Sequence, residues 1–334
     1  MKSALMSGVA LLALGVVPVF AQDVPTVLVD GSSTVFPISE AMAEEFQISA
    51  GGATRVTVGL SGTGGGFAKF CRGETDVTGA SRPITNDEKA LCAENGVEYI
   101  EMPIAIDALA VIVNPANEFA SCMTVDQLKT LYEPEAQGVI TNWNQLNPEW
   151  PDQQIGLFGA GTDSGTYDYF TFAIVGEEHS SRGDYTATED DNITIQGVSG
   201  DENAIGFLGL AYVTENLGVI KPVAIEQADG TCVEPSVETA SDSTYQPLTR
   251  PIFWYINSGY ADEKQHVQDF VHFAFDPATQ QALVGEVGYV PLPEQAAISA
   301  QEKFNGRVTG SAFDGGSKVG VTIESLVSAA GAAN

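Results

Sequence analysis

The chain has 334 residues, with 44 acidic side chains against 14 basic ones, a formal net charge of −30 and four cysteines. Such acidity argues against nucleic acid or an anionic membrane as partner, because both are polyanions. It excludes less about small anions, since a buried site answers to its own donors and charges beyond about 10 Å are screened by salt.

In chain order, Met1 and Lys2 give a short basic start, Val9 to Val17 is almost wholly apolar, and Val19-Phe20-Ala21 ends in a small residue. This pattern predicts a cleaved secretory signal over residues 1–21, with an apolar run too short for a membrane anchor. No cysteine lies near the cut, so no lipid anchor is expected, and no later stretch is long enough to span a bilayer. What remains, roughly 310 residues, exceeds one typical domain.

Val24 to Asp30 reads as a strand, and Ile38 to Gln47 places apolar residues at helical spacing. Arg55 to Leu60 alternates like a strand, SGTGGGF follows as a turn, and a helix is predicted from Lys69 to Gly73. A third strand ends at DVTGASRP. Further on, Ile155 to Phe158, the turn GAGTDSGT and the helix YDYFTFAIVG repeat the same order. Strand, hydroxyl-rich turn and helix recurring in this way predict an α/β fold with mixed, mainly parallel sheets, whose ligands sit at the strand C-termini. Two extended runs, Asp107 to Pro115 and Pro247 to Asn257, read as crossings between lobes. They divide the chain into a discontinuous lobe I (23–110 and 252–330) and lobe II (114–249), hinged near 110–114 and 248–252. The tail beyond Gly315 predicts a last helix.

A strand ending in a Gly/Ser/Thr turn before a helix leaves free backbone N–H groups at the positive end of the helix dipole, which is an anion pocket without any lysine. In GSSTVFP the candidate donors are Ser33 and Thr34. In SGTGGGF they are Ser61 and Thr63, and in GTDSGTYDYF they are Ser164, Gly165 and Thr166. Any one of these turns is explained as well by ordinary helix capping. Three of them together point to an anion. Arg82 in DVTGASRPI is the candidate cation, since a guanidinium suits a tetrahedral oxyanion, and it is expected to matter more to the anion than Lys69. Asp163 is a carboxylate among donors. It either caps its helix or accepts the proton that phosphate keeps at neutral pH and sulfate lacks.

Cys71, Cys92, Cys122 and Cys232 lack metal-site spacing, and in an oxidising compartment they predict two disulfides with three pairings open. Cys71–Cys92 with Cys122–Cys232 is favoured, because the first pair flanks one βα segment and the second ties a long excursion to its return. Against an enzyme, GxSxG is absent and none of His179, His266 and His272 neighbours a hydroxyl turn. Neither a P-loop, a dinucleotide fingerprint nor a metal cluster is present in the sequence, so no cofactor and no metal are expected.

GSSTVFPI, GLSGTGGGF, FCRGETDVTGASRPI, GTDSGTYDYF, NAIGFLGLAY and PLTRPIFWYI resemble, in order and spacing, the periplasmic phosphate-binding proteins of ABC importers, nearest the PstS/SphX-like branch. The resemblance spans roughly residues 25–295. It implies a two-lobed type II periplasmic binding protein fold that closes on inorganic phosphate and passes it to membrane permease subunits, acting as a soluble, non-enzymatic periplasmic monomer. Another tetrahedral oxyanion (sulfate, molybdate, a phosphonate) is the alternative ligand, and a secreted serine hydrolase the more distant one. By position, the implied phosphate donors are Ser33, Thr34, Ser61, Arg82, Ser164, Gly165 and Thr166, with Val35 and Thr63 contributing through backbone or hydroxyl. The better-known branch carries Asp where this chain has Arg82, and Arg where it has Ala160. One cation and one carboxylate are thus kept, in exchanged places.

Overall fold

A computed structural model describes residues 24–162, 164–188, 190–316, 318 and 321–328. The expected signal segment and Asp163 lie outside these residues.

The described residues open with three parallel strands joined by helices. They are β1 (Thr26–Gly31), α1 (Phe36–Ser49), β2 (Arg55–Val58), α2 (Gly62–Phe70) and β3 (Val77–Ala80), with α3 (Asn86–Glu94) following. Parallel neighbours need such crossovers, because a tight turn can only reverse direction. The helix α2 begins at Gly62, where the sequence predicts a turn, so the glycine run is helical. Glycine costs about 1 kcal/mol per residue there, but a Cβ on Gly66 would lie 2.5 Å from Thr78 Oγ1 and 2.6 Å from Gly31 Cα. Only a bare backbone lets α2 pack this tightly on β1 and β3.

The next strand, β4 (Tyr99–Val113), runs 15 residues and is buried throughout. It starts eight residues before the predicted Asp107. After it come β5 (Cys122–Met123), α4 (Val125–Tyr132), β6 (Gly156–Ala160), α5 (Gly165–Phe170), β7 (Thr186–Thr188), α6 (Asp191–Gly200) and β8 (Ala204–Gly209). Three short strands follow, β9 (Lys221–Pro222), β10 (Ala224–Glu226) and β11 (Cys232–Val233), and then the long β12 (Thr249–Asn257). The main sheet has the order β2-β1-β3-β12-β4-β8-β6-β7, with β9 also on β4. Parallel pairing is confined to its two wings, and β12, β4 and β8 run antiparallel through its middle. A last helix, Ile323–Ser328, closes the described chain.

One strand serves both halves. Tyr99 to Ala108 of β4 pair with β12, and Leu109 to Val113 pair with β8, so the change of partner falls at Ala108/Leu109. Alternate side chains of a strand face opposite ways. Leu109, Val111 and Val113 therefore feed a core with Tyr132, Trp143, Phe170 and Phe207, in which the Phe170 and Phe207 rings stack at 3.9 Å. Ala108, Ala110 and Ile112 belong to the larger core, which holds Ile38, Phe67, Trp254 and Phe270 and continues to Val198 and Leu208. No helix among the described residues is long and apolar enough to cross a membrane.

Cys71 is bonded to Cys92 at 1.95 Å and Cys122 to Cys232 at 2.01 Å. The second bond joins β5 to β11 in a separate sheet of order β11-β10-β5 and spans 110 positions. Closing so long a loop restricts the unfolded chain. Replacing both Cys122 and Cys232 by Ser is expected to lower the unfolding free energy by about 2–4 kcal/mol, measured by denaturant titration.

Candidate functional site

The first turn is built by Ser32. Its amide donates to the Gly79 carbonyl at 2.9 Å, its hydroxyl accepts from the Thr34 amide at 3.1 Å, and its carbonyl accepts from the Val35 and Phe36 amides. Gly31 makes this possible with φ 140°, in space that leaves no room for a Cβ beside Gly79. Pro37 sits in the first turn of α1, where its missing N–H costs nothing. Ser33 is exposed and Thr34 is buried. Val35 packs its side chain in the core and spends its amide on Ser32 at 3.2 Å.

At the second turn, the Ser61 amide donates to the Gly31 carbonyl at 3.1 Å, which sets α2 beside the first turn. Thr63 Oγ1 accepts from the Ser81 amide at 3.2 Å and lies 3.0 Å from Ser81 Oγ. This ties the start of α2 to the segment after β3. Arg82, next in that segment, forms a two-pronged pair with Glu88, both contacts at 2.9 Å, and donates to the Pro83 carbonyl. Glu88 also accepts from the Thr85 amide at 2.8 Å, closing the capping box of α3. The guanidinium lies over the Phe67 ring and near Gly64 at the start of α2, with Glu178 acting on it electrostatically.

At the third turn, Ser164 caps α5 by accepting from the Thr166 amide at 3.1 Å. The Gly165 carbonyl accepts from Arg250 Nη2 at 3.1 Å. Arg250 is itself 9% exposed, pairs with Asp107 at 3.0 Å and lies 4.2 Å over the Tyr169 ring. Burial pushes the Asp107 carboxyl above its ordinary range, although Arg250 pulls it the other way. Tyr289 supports the first turn as Arg250 supports the third, donating its hydroxyl to the Thr34 carbonyl at 2.6 Å. Burial pushes the Tyr289 phenol further above its ordinary range, so it stays a neutral donor.

These turns converge. Ser33, Thr34, Ser164, Gly165, Thr166 and Tyr289 line one crevice. Thr34 and Gly165 meet so closely that a Cβ on Gly165 would overlap Thr34 Oγ1. Ser61, Thr63 and Arg82 do not line this crevice. Ser61 is bonded to Gly31 and Thr63 to Ser81, Arg82 follows Ser81 in the chain, and Ser81 lines a second recess with Arg250, Tyr169 and Glu178. The result is a polar crevice lined by hydroxyl-bearing residues, with Arg250 standing behind the third turn.

Sequence reasoning ranked Lys69 below Arg82 and missed Tyr289, Asp30 and the pair Asp107–Arg250. A signal existed for the last two, since each is the one charge in an otherwise apolar crossing run, and the register places them directly opposite. Tyr289 carries no such mark. Among the described residues, no imidazole is hydrogen-bonded to Ser33, Ser61 or Ser164. His179 instead pairs with Asp168 at 3.2 Å. The one cluster of metal-ligating types found there, Cys122, Glu226 and Cys232, has both its sulfurs in a disulfide.

A family model described as the PBP superfamily domain matches residues 20–278. The chain is 45% identical to Protein SphX of Synechococcus elongatus, over 99% of this chain and 97% of that one. It is 36% identical to the phosphate-binding protein PstS of Staphylococcus saprophyticus, over 83% of each chain. The crystal structure of a possible phosphate binding protein from Planctomyces limnophilus superposes with a TM-score of 0.74 at 44% identity, over 84% of this chain and 98% of that one.

Proposed function

The chain belongs to the PBP superfamily, in its PstS- and SphX-like branch, and from that premise we propose that it is a receptor that binds inorganic phosphate and delivers it to the permease of an ABC importer. The observation that carries this reading is the meeting of Thr34 with Gly165, which brings the turns that open α1 and α5 face to face. An oxyanion between them receives hydroxyls and dipoles from both sides, and neither side alone completes the shell. Ligand therefore favours the closed form by its differential affinity for it.

The lobes of this reading are 23–110 with 252–330, and 114–249. The change of β4 partner at Ala108/Leu109, and the bond from the Leu109 amide to the Leu248 carbonyl at 2.9 Å, support a hinge at the two crossings. In this reading Ser33, Thr34, Ser164, Gly165 and Thr166 form the phosphate shell from the crevice itself, Ser61, Thr63 and Arg82 join it from the neighbouring turns as the lobes close, and Asp163 takes the phosphate proton. The Val35 amide, already engaged with Ser32, adds least. The receptor works as an exported, soluble monomer in the periplasm, without catalysis and without a cofactor.

Calorimetric titration with phosphate, arsenate and sulfate tests this. Phosphate is expected to saturate one site, and sulfate to bind at least about tenfold more weakly, because it leaves the proton acceptor unpaired. Equal affinity for sulfate would remove the proton-acceptor role. Absence of any phosphate binding would remove the reading itself.

A further inference from the structure

Beneath the second turn lies a polar cluster that the phosphate reading leaves unexplained. Lys69, in the last turn of α2, donates from Nζ to Ser61 Oγ at 2.6 Å and to Asp30 Oδ2 at 2.7 Å. Asp30 sits near the end of β1, 8% exposed, in space that Gly59 leaves open, since a Cβ there would overlap Asp30 Oδ2. Ser61 stands at the N-cap of α2 but does not cap it. Its oxygen, which would ordinarily accept from a helix amide, is taken by Lys69 instead.

The direction of that bond is forced. An ammonium group has three donors and no acceptor, so the Ser61 oxygen accepts and its own hydrogen has to point elsewhere. No acceptor for that hydrogen is found among the described residues. The Ser61 amide, bonded to the Gly31 carbonyl, holds the hydroxyl next to the first turn. An oxyanion in the cleft offers the acceptor that is missing. Asp30 meanwhile offsets the lysine charge, so the strand ends carry no bare cation when the cleft is empty.

Resting on the phosphate reading, we propose that Lys69 is a positioning residue: it holds Ser61 as an obligate hydrogen-bond donor to the bound phosphate without touching the phosphate itself. Lys69 acts through one oxygen atom, and its contribution disappears with that atom. Arg82 differs, because its guanidinium is already held in two prongs by Glu88.

The test is a double-mutant cycle read by phosphate calorimetry on wild type, Lys69→Met, Ser61→Ala and the double variant. Lys69→Met is expected to weaken phosphate binding about tenfold to hundredfold, as loss of a charge-assisted donor does. In the Ser61→Ala background the same substitution is expected to change affinity less than about twofold. Losses that multiply would show Lys69 acting independently of Ser61 and overturn the proposal. Lys69→Met also strands the buried Asp30 carboxylate, so Asp30→Asn/Lys69→Met is the control. It is expected to fold like wild type by circular dichroism and to keep the binding deficit, and recovery of wild-type affinity in it would overturn the proposal. Wild type that binds phosphate beside a Lys69→Met variant that binds equally well removes this inference alone. Wild type that binds no phosphate removes the reading beneath it as well.

Discussion

Gly165→Ala is expected to reduce phosphate affinity about a hundredfold or more while leaving the unliganded protein nearly as stable as before. The added methyl would overlap Thr34 Oγ1 and lie 3.0 Å from Thr34 Cβ, so the first and third turns could not meet. Gly165 is not among the positive-φ residues, so alanine fits the local backbone and the penalty falls on closure. Holding the turns apart removes at least two charge-assisted hydrogen bonds from the anion, each worth about 1.5–3 kcal/mol, and every 1.4 kcal/mol is about tenfold in affinity. Calorimetry measures the loss, and X-ray scattering in saturating phosphate shows whether the variant stays extended. Thr34→Ala/Gly165→Ala removes the overlap with Oγ1, leaves the tight 3.0 Å contact with Cβ, and should recover part of the closure, although it lacks one hydroxyl donor. Wild-type affinity in Gly165→Ala would mean that phosphate is not held between these turns.

The second large effect is expected at the crossings. Arg250→Met keeps the bulk of the side chain and removes its charge, leaving Asp107 buried at 6% exposure without its partner. Breaking such a pair costs about 3–5 kcal/mol. The variant also frees the Gly165 carbonyl, so phosphate affinity should fall with stability. The loss has a pH signature whose sign follows from the Asp107 carboxyl. Burial raises it above its ordinary range in the folded protein, and removing Arg250 takes away the attraction that opposes that rise. A group raised on folding binds more protons folded than unfolded, so its contribution is present below the unfolded value and is lost as pH rises through the folded one. The stability gap between Arg250→Met and wild type should therefore narrow as pH falls below neutral. Asp107→Asn/Arg250→Met should recover most of the loss at neutral pH. A gap independent of pH, measured by denaturant titration, would show that Asp107 does not stay buried in the variant.

The strand–turn–helix units were legible because each is written in a few adjacent residues. VPTVLVD is a short β-branched and apolar run, Gly31 follows it, Pro37 opens a helix, and the structure has β1 and α1 there. Legibility failed where tertiary packing overrode propensity. The glycines of SGTGGGF favour a turn when read alone, yet they form the start of α2 because β1 and β3 lie too close for any side chain. The first half of β4, which the structure pairs with β12 beside the register shift at Ile252/Phe253, was not read as strand from the sequence. At the site, the hydroxyls of the first and third turns could be named from local chemistry. The capping box at Thr85 and Glu88 was also written locally, but its second duty, holding Arg82, was not.

Local signals report backbone sterics and side-chain patterning over a handful of residues, and those are properties of a short segment in any surroundings. They were sufficient to predict an α/β chain with three hydroxyl-rich turns, each leading into a helix. They carry no information about which distant groups share a point in space. Tyr289 reaches Thr34 across 255 positions, and Arg250 meets Asp107 across 143. Such encounters are selected by the closing of a whole sheet, in which dozens of buried contacts outweigh the loop entropy of any one of them. The folded chain alone decides which carbonyls are held, which donors are left pointing into the cleft, and which lysine stands behind a serine.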